Sequence, residues 1–392
     1  MKPRIAFLNS MLAPYRVSFY TKLFNSKEFE WKLFAGFKMT KLDARPQYEG
    51  KVDFPVSYHK QKISAGAIYN MIDFENMTPA VKEYNPDIII MPAHVGIKNF
   101  RDIIKWAKKT NRKIIMWTSY WEPYYISGYK KIIRDIVIKT YYKKADYHIT
   151  YSTIAREKLI NIGYPHNQIS IAYNGIDVDS YNMEQISSQE VFEFDSINIL
   201  YCGGFAKDKK VDLLIKAVYN CMKLHNYKIC VYLIGVGPTY KECESLINQL
   251  SLSEYIKLLG RIEYTEKYFK MADFIVMPGI GGLLLNEAVL FGKPFITSDA
   301  DGTEYDLLIN GFNGLKFLRD NEFSLENSLV ELIENLPFYK ENATKVTEMV
   351  TRRSNIDTMV TTFLAAVKKI PLHTANVRKA GSLKSNTAQK QL

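Results

Sequence analysis

Val276-Met277-Pro278-Gly279-Ile280-Gly281-Gly282-Leu283-Leu284-Leu285-Asn286-Glu287-Ala288 joins the end of an apolar strand to a glycine-rich loop and the start of a helix. A parallel strand buried on both faces reads as a continuous apolar run, and a glycine loop at its carboxyl end lets backbone N–H groups approach an anion. Glu287 stands early in a helix whose residues, Asn286 apart, are Leu, Ala and Val, where a carboxylate can accept both hydroxyls of a ribose. The same strand, turn and helix occur earlier. Ile199-Leu200-Tyr201-Cys202-Gly203-Gly204-Phe205 runs into Lys207, Lys209 and a helix from Val211, and Leu233-Ile234-Gly235-Val236-Gly237-Pro238 precedes another. Gly203 and Gly204 permit close backbone approach to a ligand, and a lysine at a helix start neutralises a diphosphate as a point charge. Gly235 and Gly237 read equally as a structural turn, since a lone G-x-G is weak.

Working outward, short apolar runs alternate with helical patterns along most of the chain. Strands are expected at Ile5–Asn9, Trp31–Ala35, Asp87–Pro92, Lys113–Trp117, Tyr147–Tyr151 and Ile169–Tyr173, and again at Ile197–Tyr201, Ile229–Ile234, Ile256–Leu259, Phe274–Met277 and Pro294–Thr297. Repeated βα units imply an α/β fold with two doubly wound parallel sheets. A polar stretch near Asp177–Asp195 has no apolar period and reads as a linker. The expected division is a first Rossmann-like domain over 1–180, a second over 190–350, a C-terminal helix over 351–370 and a disordered basic tail over 371–392.

The 392 residues suit two domains, and 47% hydrophobic with 24% charged residues is an ordinary globular composition. No apolar run approaches bilayer-spanning length, and Met1-Lys2-Pro3-Arg4-Ile5 opens on a strand rather than a secretion signal, so a cytoplasmic location is expected. The four cysteines, Cys202, Cys221, Cys230 and Cys243, have neither C-x-x-C nor zinc spacing and read as reduced thiols. Net charge is +11, concentrated between Lys98 and Lys144, where thirteen Lys and Arg meet three acids. Within that segment Lys130, Lys131, Arg134, Ile138, Tyr141 and Tyr142 would share one broad helical side, a mixture suited to the headgroup layer of an anionic membrane; the alternative is an ordinary solvated helix face with Ile and Val buried opposite. No nucleic-acid-binding module is recognised, so nucleic acid is not an expected partner.

Taken in order, G-G-F-x-x-x-K, I-G-x-G-P, A-D-F-I-V-M-P-G and G-L-x-x-x-E-A-x-x-x-G-K-P-F-I-T resemble the GT-B glycosyltransferases of family 4, the group 1 glycosyl transferases. The first half agrees, through Ala13-Pro14-Tyr15-Arg16-Val17-Ser18-Phe19-Tyr20 and through Tyr173-Asn174-Gly175-Ile176-Asp177. The resemblance spans roughly residues 3–370 and implies two Rossmann-like domains facing across a cleft. It further implies transfer with retention from a nucleoside-diphosphate sugar, without a metal or cofactor, to a lipid-linked or polysaccharide acceptor in cell-surface glycan synthesis. By that likeness Lys209 holds the diphosphate, Glu287 the ribose, and the amides of Gly281, Gly282 and Leu283 the phosphate and sugar. Gly302-Thr303-Glu304-Tyr305-Asp306-Leu307-Leu308 resembles the G-P-E-I-E-Y-L of one branch, which adds Glu304 to the donor-binding candidates. Tyr15 and Arg16 are expected at the acceptor. His94, ending its strand toward the cleft, and Glu122 are the catalytic candidates.

Three positions depart from the family pattern. Gly204 replaces an arginine, Gly279 replaces the first of two glutamates eight positions apart, and Thr118-Ser119-Tyr120-Trp121-Glu122 stands where a histidine often follows the strand. Two rival readings follow: a sugar-nucleotide epimerase of the same architecture, and an inactive homologue serving as a scaffold.

Overall fold

A computed structural model describes residues 2–37, 47–64, 71–119, 128–181 and 196–371. Glu122, the side chains of Lys130 and Lys131, the linker beyond Tyr181 and the tail beyond Pro371 lie outside the described residues.

The first sheet contains β1 (Arg4–Asn9), β2 (Glu30–Phe37), β3 (Val56–Ser64), β4 (Met71–Phe74), β5 (Ile88–Pro92), β6 (Lys113–Thr118), β7 (Tyr147–Thr150) and β8 (Ile169–Ile171). Their order is β4-β3-β2-β1-β5-β6-β7-β8, parallel except between β3 and β4. The second sheet contains β9 (Ile197–Cys202), β10 (Ile229–Ile234), β11 (Ile256–Gly260), β12 (Phe274–Met277), β13 (Phe295–Thr297) and β14 (Gly314–Lys316), in the order β11-β10-β9-β12-β13-β14. Every pair in it is parallel. Each sheet reverses its winding once, between β1 and β5 and between β9 and β12. Doubly wound sheets open a crevice at the carboxyl ends of such a pair.

All eleven expected strands are present; β3, β4 and β14 were not expected. These three lie at or beside sheet edges, where only part of the strand is buried and the sequence (Val56-Ser57-Tyr58-His59-Lys60 in β3) never becomes continuously apolar. By contrast β10, in the sheet interior, is buried at all six positions.

Alternation along the first sheet builds two cores. Ile5, Phe7, Ile88, Ile90, Ile115 and Trp117 face one way, toward the helix Val17–Phe24 and the C-terminal helix Ile356–Lys368. Ala6, Leu8, Ile89, Met91, Ile114 and Met116 face the helices Met77–Tyr84 and Lys98–Lys109. The expected C-terminal helix over 351–370 is therefore two pieces. Thr347–Arg353 stays with the second domain, whose core takes Val350, while Ile356–Lys368 crosses back and buries Phe363 against Phe7, Phe19 and Trp117.

The chain thus crosses between the domains twice, and the crossings pair. Ile176 donates its amide to Ser354 O at 3.2 Å, and Ile356 donates to Ile176 O at 3.0 Å. Gly175 permits this approach, because a Cβ there would stand 2.7 Å from the Asn355 backbone. Among the described residues no helix is long and apolar enough to cross a membrane.

Candidate functional site

The carboxyl edges of the two sheets meet. The amide and hydroxyl of Thr153, just past β7, donate to the Asp306 carboxylate at 2.9 and 2.5 Å. Asn286, past β12, donates to Asn174 O, past β8, at 2.7 Å. Gly302, at φ +96°, packs where a Cβ would stand 2.5 Å from Ile154 and 2.9 Å from Ser152 Oγ. The segment Gly302–Leu308 is therefore an interdomain contact.

At the winding reversal of the second sheet, the loops after β9 and β12 are bound to each other. The Ile280 amide donates to Asp208 O at 2.8 Å. Lys209, in the turn Lys207–Lys209, directs Nζ to Ile280 O and Gly281 O at 2.6 and 2.8 Å. Its charge therefore clamps two carbonyls of the glycine loop. The Gly281, Gly282 and Leu283 amides donate to no acceptor among the described residues. Gly282 is exposed, with open space where a Cβ would be. Such unspent donors at a helix start, with a lysine charge on the same loop, suit a phosphate.

Gly279 explains one departure from the family pattern. A Cβ at that position would stand 2.2 Å from Asp208 O and 2.6 Å from Lys209 C. Backbone of the neighbouring loop occupies the space a glutamate side chain would need. Gly235 and Gly237 likewise serve close approach, with Cβ positions 1.8 Å from Gly203 O and 2.2 Å from Phe205 O. Gly203 and Phe205 in turn donate to Ile234 O and Val236 O at 2.9 and 3.0 Å. The second and first glycine turns thus brace one another, and the first stands beside the third. Gly204, half-buried, accepts from the Tyr201 hydroxyl through its carbonyl at 2.7 Å.

Glu287 is in the first turn of Leu284–Leu290, half-buried. Oε1 accepts from the Tyr181 hydroxyl at 2.7 Å, and Oε2 takes no hydrogen bond among the described residues. Desolvation, opposed by that hydrogen bond and aided by the charge of Glu266, pushes its carboxyl up to about 7. Tyr181 packs its ring edge-on to Phe291 at 5.9 Å, and burial together with Glu287 drives its own hydroxyl well above the usual phenol range. Tyr181 carries no sequence signal, being a lone aromatic at the start of a polar linker. Asn286 had one: it is a polar residue inside an apolar helix, and it is fully buried.

Across the cleft, Tyr15 is 54% exposed. His94 is exposed in the loop after β5, beside the winding reversal of the first sheet. Two expectations need correction. Arg16, expected at the acceptor, is buried: its guanidinium lies 5.1 Å from the Trp117 ring, 5.3 Å from Tyr15 and 5.8 Å from Tyr151, and donates to Asn174 Oδ1 at 2.5 Å. Cation–π stacking and a hinge hydrogen bond consume it. Glu304, expected at the donor, is buried with Oε1 and Oε2 taken by the Ala300 and Gly302 amides at 2.7 and 3.0 Å. Its carboxylate shapes the loop that carries the interdomain contact.

Residues 182–348 match the family model described as "Glycosyl transferases group 1". An uncharacterized glycosyltransferase of Methanocaldococcus jannaschii is 30% identical over 174 residues, 43% of this chain and 45% of that protein. The chain spans about half the length of the curated relatives it matches. Among solved structures, Anabaena HepE in complex with UDP-glucose superposes over 94% of this chain and 100% of its own, with TM-score 0.68 at 16% identity. A mutant form of S. aureus TarM, in complex with Fondaparinux, alpha-GlcNAc-glycerol and UDP, superposes over 93% and 99%, with TM-score 0.66 at 11% identity. At these identities the likeness to the solved structures is one of fold: two Rossmann-like domains facing across a cleft.

Proposed function

We propose that this chain is a glycosyltransferase moving a sugar from a nucleoside-diphosphate sugar to a lipid-linked or polysaccharide acceptor, with retention and without a metal, in cell-surface glycan synthesis. The observation that carries the reading is the pairing of Glu287 with the unspent amides of Gly281, Gly282 and Leu283, inside the segment that matches the group 1 model. The ribose lies on Glu287 Oε2 and the diphosphate on the amides. The UDP-glucose of HepE and the UDP of TarM are ligands of this kind. As the bond from the anomeric carbon to the diphosphate oxygen breaks, charge grows on that oxygen, where fixed N–H dipoles and the Lys209 cation stabilise it without reorganising. The acceptor enters from the side of Tyr15 and His94.

Gly279 favours a second reading, a homologue that binds nucleotide without transferring sugar, because the missing glutamate cannot be supplied by a neighbouring side chain through that space. Calorimetry with UDP-, GDP- and dTDP-sugars, followed by donor-hydrolysis assays on the tightest, separates the readings. Binding with turnover supports the transferase, binding without turnover supports the homologue, and no binding to any nucleotide sugar removes both.

A further inference from the structure

The helix Gly128–Tyr142 turns its apolar stripe outward. Tyr129, Ile132, Ile133, Ile136 and Val137 recur at i, i+3, i+4, i+7 and i+8, one side of a helix, and all five are exposed, Tyr129 at 70% and Ile132 at 64%. This differs from both sequence-based readings, which put the basic residues outward, and it excludes the one in which Ile and Val are buried opposite them. Instead Arg134, paired with Asp135, is buried at 2% exposure, and Tyr141 and Tyr142 at the end of the helix are buried as well. Scattered exposed apolar residues are normal, but a contiguous row of five marks a surface that meets an apolar partner.

The surroundings of the stripe are basic. Its continuation carries Lys139 and Lys143, with Lys144 beside them, all exposed. The helix Lys98–Lys109 packs Phe100, Ile103 and Ile104 into the same core as Tyr141 and Tyr142, and exposes Arg101, Lys105, Lys108 and Lys109. A second copy docking stripe to stripe would bring two such basic regions together. The tail from Pro371, with four basic residues and no acid, has the same sign. An anionic bilayer has the complementary charge and an apolar layer beneath it.

We propose that this face inserts into an anionic membrane surface. The Tyr129–Val137 stripe enters the boundary between headgroups and acyl chains, and Lys139, Lys143 and Lys144 remain at phosphate level. The inference deepens the proposed function, on which it rests only for its purpose, since a lipid-linked acceptor lies in such a surface. Binding is then not purely electrostatic, and high salt leaves part of it in place.

Co-sedimentation of the full chain with phosphatidylcholine vesicles, alone or mixed with phosphatidylglycerol, at low and high salt, tests this. Wild type is expected to bind the anionic vesicles and to keep a salt-resistant fraction. Ile132→Gln with Ile136→Gln should weaken binding about tenfold or more and abolish that fraction, because two isoleucines no longer leave water. Its melting temperature should not fall, both side chains being exposed. Lys139→Glu with Lys143→Glu should remove the preference for anionic vesicles. Failure of wild type to bind, or wild-type binding by the double Gln variant, overturns the inference. So does a dimer in gel filtration that the Gln variant breaks, which assigns the stripe to a second copy. Nucleotide-sugar affinity of the same samples keeps the two readings apart. Lost vesicle binding with intact nucleotide binding sinks only the membrane face, and the converse sinks only the proposed donor site.

Discussion

Glu287 ties its protonation to both stability and ligand binding. Its carboxyl rises from 4.5 to about 7 in the folded chain, chiefly through desolvation. The folded state therefore holds a proton that the unfolded state releases, so this contribution to stability is complete below pH 4.5 and is lost as pH rises through 7. The loss is roughly 3 kcal/mol at most, from 1.36 kcal/mol per unit. Glu287→Gln should melt with a flatter pH dependence than wild type between those values; identical profiles would refute the shift. For ligand binding the sign reverses, because ribose hydroxyls donate to the charged form. Affinity for a nucleotide sugar should rise with pH through 7 in wild type and stay level in the Gln variant. Glu287→Ala should cost roughly 1.5–3 kcal/mol of donor binding, about 10- to 150-fold. Unchanged nucleotide affinity would remove the ribose assignment. At this scale the sequence was informative where a residue contradicted its neighbours, as Glu287 does among Leu, Ala and Val. It was silent on Tyr181, whose role comes from where the hinge delivers it, and it misplaced Arg16 and Glu304, whose charges are consumed by rings and amides that only folding brings near.

Among the elements, the three glycine loops behave as one unit, because backbone packs on backbone with no side chain between. Gly279→Glu would restore the family pattern on paper. Here it should instead force Asp208 and Lys209 away, breaking the Ile280–Asp208 and Lys209 bonds together. We expect nucleotide affinity to fall rather than rise, with a lower melting temperature; tighter binding with unchanged melting would show that the loops part easily. Strands were legible wherever both faces are buried, as in β10 and β12, because a parallel interior strand must be apolar throughout. The strands β3, β4 and β14, at or beside sheet edges, obey no such demand. The C-terminal helix was legible as a helix, but its docking site was not, since an apolar stripe states that burial occurs without naming the partner. Phe363 finds that partner in the first domain, stacked on Phe7 and edge-on to Phe19 and Trp117. Phe363→Ala should destabilise the first domain by about 3–5 kcal/mol. Thermal melting with and without nucleotide sugar checks it: the ligand should rescue the second domain and leave the loss in the first. A variant melting within a degree or so of wild type would mean the helix is dispensable.

For the whole molecule, the question is how firmly two separately cored domains hold one arrangement. Between them stand the paired crossings at Ile176 and Asn355, the Asn286–Asn174 bond, and the Asp306–Thr153 contact with Gly302 beside it. Among the described residues these contacts, with the Arg353 guanidinium 4.5 Å from the Tyr173 ring, are mostly polar, and interfaces of that kind leave relative domain motion as the ordinary expectation. The crossings lie close to the pivot and constrain direction more than angle. Asp306, reaching from after β13 to the start of the helix Thr153–Asn161, acts as the catch. Its carboxylate receives two hydrogen bonds from Thr153, and charged bonds of this sort contribute roughly 1.5–3 kcal/mol, about 10- to 150-fold in the balance of closed over open forms. Asp306→Ala should therefore open the cleft without unfolding either domain. Small-angle scattering would read this as a larger radius of gyration at unchanged circular dichroism, and a saturating nucleotide sugar with an acceptor analogue should contract the variant again by bridging both walls. With the donor on the second domain as proposed, its binding should be nearly unaffected, while turnover should fall because the two walls of the cleft no longer stay together. If the radius of gyration of the variant equals that of wild type with and without ligand, the crossings and the remaining contacts hold the domains and Asp306 is not the catch.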